Sequence, residues 1–242
     1  MWAKKVTLAF LVATLALVLA ACGGGSSETQ ESGAAASETK ESATPGSQPQ
    51  GSSGSETESE RHVMLALGHQ VAGRLGDAMA EFDEAIRLDP ENGTALHNRG
   101  RALHTMGQDE RAVEDYGEAI RISPQDSTAY SDRGMAYSRL EQLEMALQDF
   151  DESLRLDPQS ISSYINRGAT YIRLGEHEKA VQDLDEAIEL DPELGISYGN
   201  RAIAHSHLGN DREAQLDLDR AVELGIDRGA LEQFIEDAKK QP

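Results

Sequence analysis

One interval dominates this sequence: from Ser59 onward it repeats every 34 residues. Pro90, Pro124, Pro158 and Pro192 keep that step. So do Asn98-Arg99-Gly100, Asp132-Arg133-Gly134, Asn166-Arg167-Gly168 and Asn200-Arg201-Ala202. Ala78, Ala112, Ala146, Ala180 and Ala214 form a third column, and Phe82, Tyr116, Phe150, Leu184 and Leu218 a bulky fourth. Each unit holds two stretches with apolar residues at helical spacing, such as Tyr164, Gly168 and Tyr171, then Ala180, Leu184, Ala187 and Ile188. Gly107, Gly175 and Gly209 stand between the two stretches, where a left-handed residue ends a helix. Asp-Pro or Ser-Pro closes the second stretch, because proline cannot continue it and restrains the residue before it. Gly100, Gly134 and Gly168 fall inside first helices at a cost of about 1 kcal/mol each against alanine. A close approach of the paired helix, opposite Ala112, Ala146 and Ala180, is the expected reason. A unit this small cannot bury its apolar face alone, so the units stack into an all-α array.

The period and its columns resemble the tetratricopeptide repeat (TPR) family over residues 59–228. The repeats divide as 59–92, 93–126, 127–160, 161–194 and 195–228. The resemblance implies a right-handed α-solenoid of five helix pairs. The first repeat carries Met64-Leu65-Ala66 in place of the Asn-Arg-Gly column, which suits an N-terminal cap. The fifth has Ile226 where the closing proline would stand, and residues 229–242 read as a C-terminal capping helix with Lys239 and Lys240 in its last turn.

In such a solenoid the first helices line a concave groove. Those of repeats two to five hold Arg99, Arg101, Arg133, Arg139, Arg167, Arg173 and Arg201 against a single acid, Asp132. The acids crowd the second helices. A strongly acidic chain therefore offers a neutral to basic inner face, which favours acidic or polar extended partners. Two readings stand open for Arg99, Arg133, Arg167 and Arg201: groove residues, or partners of acids on the neighbouring helix. Arg101, Arg139 and Arg173 are the better groove candidates. The family resemblance implies that a groove asparagine ladder bonds a ligand backbone, here Asn98, Asn166 and Asn200, with Asp132 interrupting it. An amide both donates and accepts, so it matches a peptide unit whatever the ligand's side chains. Four rungs about 10 Å apart take an extended peptide of about nine residues. No first helix of these repeats contains lysine, so a lysine clamp on a C-terminal carboxylate is not expected.

The N-terminus is a separate unit. Lys4 and Lys5 precede the apolar run Val6 to Ala21, too short to span a bilayer comfortably. Leu19-Ala20-Ala21-Cys22 resembles the lipobox of bacterial lipoproteins. The resemblance implies a signal peptide over 1–21, diacylglyceryl transfer to Cys22, and an exported protein anchored to a bacterial membrane by lipid. Residues 22–58 would be the lipidated cysteine and a tether. Residues 23–58 lack Val, Ile, Leu, Met, Phe, Trp and Tyr, so nothing there offsets the entropy of ordering. Their r.m.s. span would be roughly 30–36 Å.

Composition bounds the partner. The net charge of −21 opposes nucleic-acid binding and attachment to anionic lipid by charge. Cys22 is the sole cysteine, so no internal disulfide forms. His62, His69, His97, His104, His177, His205 and His207 follow no metal-ligand spacing, and no nucleophile elbow or phosphate loop is present. No cofactor, metal or small-molecule substrate is expected, and the chain is not expected to be an enzyme. The expectation is an adaptor that holds another envelope protein in its groove. The alternative is a scaffold that self-associates through convex or terminal surfaces.

Overall fold

The computed structural model of the protein describes residues 57–239. These residues form α1 (Glu58–Val71), α2 (Leu75–Leu88), α3 (Gly93–Thr105), α4 (Asp109–Ile122), α5 (Ser127–Arg139), α6 (Leu143–Leu156), α7 (Ile161–Leu174), α8 (His177–Leu190), α9 (Gly195–His207), α10 (Asp211–Glu223) and α11 (Arg228–Lys239). The result is an all-α solenoid of five hairpins and a terminal helix. The signal segment, Cys22 and nearly all of the tether lie outside the described residues. The tether reading runs to residue 58, but α1 already begins at Glu58. Thr57 caps it, with Glu60 reaching back to the Thr57 N–H at 2.8 Å.

Each hairpin closes on the same core. The alanine column and the bulky column of the second helix are fully or almost fully buried in every repeat. The helical glycines need correction. A Cβ on Gly100 would meet the Tyr116 ring at 2.8 Å, and one on Gly134 the Phe150 ring at 2.8 Å. At Gly168 the nearest atom is Leu184 Cγ at 3.1 Å. The close approach is therefore made by the bulky residue, not by the alanine four positions before it. At Gly168 the Ala180 carbonyl also comes near, at 3.4 Å.

Two kinds of turn alternate. Within a repeat the chain reverses through a left-handed residue: Gly73, Gly107, Gly175 and Gly209 have φ between 72° and 77°. In the third repeat Glu141 takes that place at φ 61°. Between repeats the chain exits in extended backbone, as at Asp89, Asp157 and Asp191, ahead of the proline.

The exit from α10 breaks the alternation. Gly225 is left-handed at φ 95°. Its N–H bonds the Val222 carbonyl at 3.0 Å, and the Ile226 N–H bonds that of Ala221 at 3.0 Å. This is the bonding found at Gly107 and Gly175 within repeats. Leu224-Gly225 thus imitates Leu174-Gly175 and Leu208-Gly209, and the missing proline permits it. As a result α11 is misplaced relative to a sixth repeat. Within the repeat before it, each earlier first helix packs more on the second helix than on the first, whereas α11 packs more on α9 than on α10.

Candidate protein-binding groove

Successive first helices touch along the array, while successive second helices do not pack on one another. The first helices therefore lie on the tighter, inner side of the curve, and their free faces line the groove.

The four column arginines point away from it. Arg99 forks onto Asp115 of its own second helix, with Nε and Nη2 each at 2.7 Å from the carboxylate, and places Nη1 2.8 Å from Asp83 of the preceding repeat. Arg167 does the same with Asp183 and Asp151, and Arg201 with Asp217 and Asp185. Each ties three helices. Arg133 binds Asp149 at 2.8 Å through two nitrogens, but Gly117 stands where the second acid would be. Its guanidinium lies 5.7 Å from the Tyr130 ring centre and 5.8 Å from that of Tyr137. Hydrogen bonding to Asp115 and Asp217 holds Arg99 and Arg201 more firmly protonated than usual, against burial that opposes it. Asp183 shows the cost: burial raises its carboxyl above the ordinary range despite Arg167.

The other candidates divide. Arg139 donates to the His104 carbonyl at 2.8 Å and faces Asp109 at 3.2 Å. Arg173 donates to the Ser138 carbonyl at 2.7 Å and reaches Glu141 at 2.5 Å. Both pin the end of the preceding first helix. Arg101 is different: its side chain is 58% exposed, with Nε 3.8 Å from Asp132 Oδ2. That same carboxylate oxygen lies 2.8 Å from His97 Nε2. Asn98 spends an N–H on the Thr94 carbonyl at 2.9 Å. Asn166 and Asn200 are buried, and the Asn200 amide nitrogen has no protein partner. The structure thus groups His97, Asn98, Arg101 and Asp132 in one cluster that is open to solvent chiefly at Arg101, and places Asn166 and Asn200 deep between helices.

The family patterns agree with this architecture. The tetratricopeptide repeat pattern matches residues 127–160 and 161–194, a TPR repeat pattern matches 100–141, and a second tetratricopeptide repeat pattern matches 81–114. The chain is a tetratricopeptide repeat protein. No curated protein matches it significantly. Among solved structures it is similar in fold to PilW, described as a widely conserved type IV pilus biogenesis factor, with TM-score 0.68 and 19% identity over 74% of this chain and 85% of that one. MamA (residues 41 to the end) from Desulfovibrio magneticus RS-1 gives 0.65 and 19% over 70% and 97%. YrrB, described as a TPR protein with an unusual peptide-binding site, gives 0.61 and 20% over 76% and 93%.

Sequence reasoning missed part of the TPR groove. Met64, Leu67 and Val71 occupy in repeat one the columns of Asn98, Arg101 and Thr105, and all three are exposed. The signal was the Met64-Leu65-Ala66 departure, read as a cap. It brings an apolar end to the groove, where Leu65 also leaves the arginine column empty.

The histidines of the TPR array form no metal site. Among the described residues no group of three or more potential ligands converges. His62 and His104 face Glu81 and Asp109 at 2.5 and 2.6 Å. His177 and His207 stack on each other instead, ring centres 4.2 Å apart and 6° from parallel. Burial lowers the pKa of both, and His177 lowers that of His207 further. No helix among the described residues is long and apolar enough to cross a membrane.

Proposed function

We propose that this TPR protein is an adaptor, anchored through lipid at Cys22 to a bacterial envelope membrane, that holds an extended segment of another envelope protein in its concave groove. The fold itself is that of a protein–protein interaction scaffold. The observation that carries the finer reading is the cluster of His97, Asn98, Arg101 and Asp132, open at Arg101 and bordered by exposed Met64, Leu67 and Val71. It offers donors, acceptors and an exposed guanidinium beside apolar surface. YrrB, a similar fold, is described as having a peptide-binding site, which supports a peptide-holding use of the fold.

In-cell photocrosslinking tests it. Crosslinkers at Thr94 and Arg101, both in the groove, should capture one defined partner, and one at Gln148 on α6 should not. Capture only at Gln148 would discard the groove reading. Detergent phase partitioning of wild type against Cys22→Ala tests the anchor separately, and equal partitioning would remove it.

The exposed apolar side chains of α1 favour one second reading, self-association through that end. A concentration-dependent mass in solution, abolished by Val71→Lys, would support it over the adaptor.

A further inference from the structure

The array sets its own comparison at one rung. Residues 83, 117, 151, 185 and 219 form a column of the 34-residue period, and it is aspartate everywhere but at Gly117. Three of those aspartates accept from Nη1 of the column arginine that follows: Asp83 from Arg99 at 2.8 Å, Asp151 from Arg167 at 2.6 Å and Asp185 from Arg201 at 2.5 Å. At the remaining rung the acid is gone and the arginine stays. Arg133 gives Nε and Nη2 to Asp149, and its Nη1 is left toward Gly117. We propose that this place is a carboxylate-binding niche on the second-helix side of the array, which takes an aspartate or glutamate side chain of a partner protein. It goes beyond the groove reading, because the column arginines point away from the groove.

Packing does not ask for glycine at position 117. A Cβ on Gly100 or Gly134 would collide with a ring, but one on Gly117 would meet Arg133 Nη1 at 3.8 Å, an ordinary contact. Glycine inside α4 still costs about 1 kcal/mol against alanine. What it provides is room beside a guanidinium that is already in place. The fork onto Asp149 fixes that guanidinium, and the rings of Tyr130 and Tyr137, three residues before and four after it, lie 5.7 and 5.8 Å away. The Arg133 side chain is only 21% exposed. An incoming carboxylate therefore gains a charge-assisted hydrogen bond without having to order a long, free side chain. Charge selects the ligand further. Arg133 and Asp149 together are neutral, and one more carboxylate reproduces the one-arginine, two-carboxylate composition of the other three rungs. A phosphate would bring a larger negative charge beside Asp149 and is disfavoured.

The test closes this niche and opens its twin. Sodium acetate, which carries the carboxylate of an aspartate side chain, is titrated into the full chain against sodium chloride at equal ionic strength. The readout is the NMR shift of the Arg133 Nε–H and the Gly117 amide. Wild type should give a saturable shift of both. Gly117→Asp supplies the carboxylate from within, so acetate should bind about ten-fold or more weaker, read at Arg133. Asp151→Gly makes the same opening at Arg167, which has Tyr164 beside it as Arg133 has Tyr130, and should create a second saturable shift at the Arg167 Nε–H. A wild-type shift that never saturates, equal affinity in wild type and Gly117→Asp, or no new shift in a folded Asp151→Gly chain overturns the proposal. Should circular dichroism show Asp151→Gly unfolded, wild type and Gly117→Asp decide alone. Sodium phosphate should bind more weakly than acetate, and tighter binding would overturn the carboxylate assignment. The niche lies off the groove, so this titration and the crosslinks at Thr94 and Arg101 succeed or fail separately.

Discussion

The two ends of the groove are built oppositely. At the N-terminal end Met64 is 65% exposed and Val71 92%, and Leu65 leaves the first repeat without the arginine that ties the others. At the C-terminal end Arg201 bridges Asp185 and Asp217, Ile203 is buried, and α11 lies across α9. One end is open and untied, the other covered and tied. In a linear array each repeat's stability depends on its neighbours, so the two ends are free to differ in this way without altering the fold between them. An apolar surface left open marks a site of interaction, and one that is covered by the chain's own helix does not.

The largest expected effects would erase the contrast from the C-terminal side. Arg201→Ala leaves Asp217 buried without its guanidinium and should cost about 2–4 kcal/mol, measured by urea denaturation. Leu231→Ala removes the buried anchor of α11 at a similar cost of about 2–4 kcal/mol. Hydrogen exchange should then show α11 and the groove face of α9 losing protection while α1 and α2 stay unchanged. Loss of protection spread evenly along the array would mean the ends are not independent.

Much of this architecture was legible because a repeated column reports the same environment five times. Helix limits, the buried alanine and bulky columns, and the left-handed turn glycines follow from spacing alone. The site was less legible. Arg167 meets Asp151 and Asp183 only because hairpins bring residues 16 positions before and after it to one point. Arg139 and Arg173 satisfy carbonyls 35 residues earlier, at the ends of neighbouring helices. Charge counting sees seven arginines on first helices and cannot see that each already faces an acid, with Arg101 alone left largely exposed. Ile226 was visible as a missing proline. Its consequence was not, because the direction of α11 depends on how Gly225 turns the chain.

Acid provides a sharper test of the same contrast. In the N-terminal half His62, His97 and His104 each face a carboxylate. At the joint between repeats four and five His177 and His207 face each other, with Glu178 the one nearby acid that opposes the lowering at His177. Both pKa values are lowered by burial, so the folded state favours neutral rings. Their contribution is complete above the ordinary histidine pKa, about 6.5, and is lost as pH falls through the lowered folded values. Between pH 7.5 and 5, intrinsic-rate-corrected hydrogen exchange should rise in α8 and α9 first. His207→Gln should remove that acid sensitivity.

A smaller stability effect is expected at the middle of the array. Glu141 holds a left-handed conformation that glycine adopts in four other repeats, at a cost of about 1 kcal/mol. Its exposed pair with Arg173 offsets at most part of this. Glu141→Gly should therefore stabilise the protein by about 0.5 kcal/mol. A loss of stability would show that the bond to Arg173 is what holds the third and fourth repeats together.

The smallest expected change in stability is the one that bears most directly on function. Val71 makes little contact with the rest of the fold, since nearly all of its surface already faces water, and it sits in the last turn of α1 before the left-handed turn at Gly73. Val71→Lys should shift unfolding by less than about 0.5 kcal/mol, as surface substitutions away from special contacts do. The exposure of a large apolar side chain then has no structural reason in the free protein. If the open end is a docking surface, the same substitution should abolish photocrosslinking from Thr94 and Arg101 at unchanged expression and melting temperature. Undiminished crosslinking would place the partner wholly on the polar patch of Asn98, Arg101 and Asp132, and the apolar rungs of the first repeat would take no part in holding it.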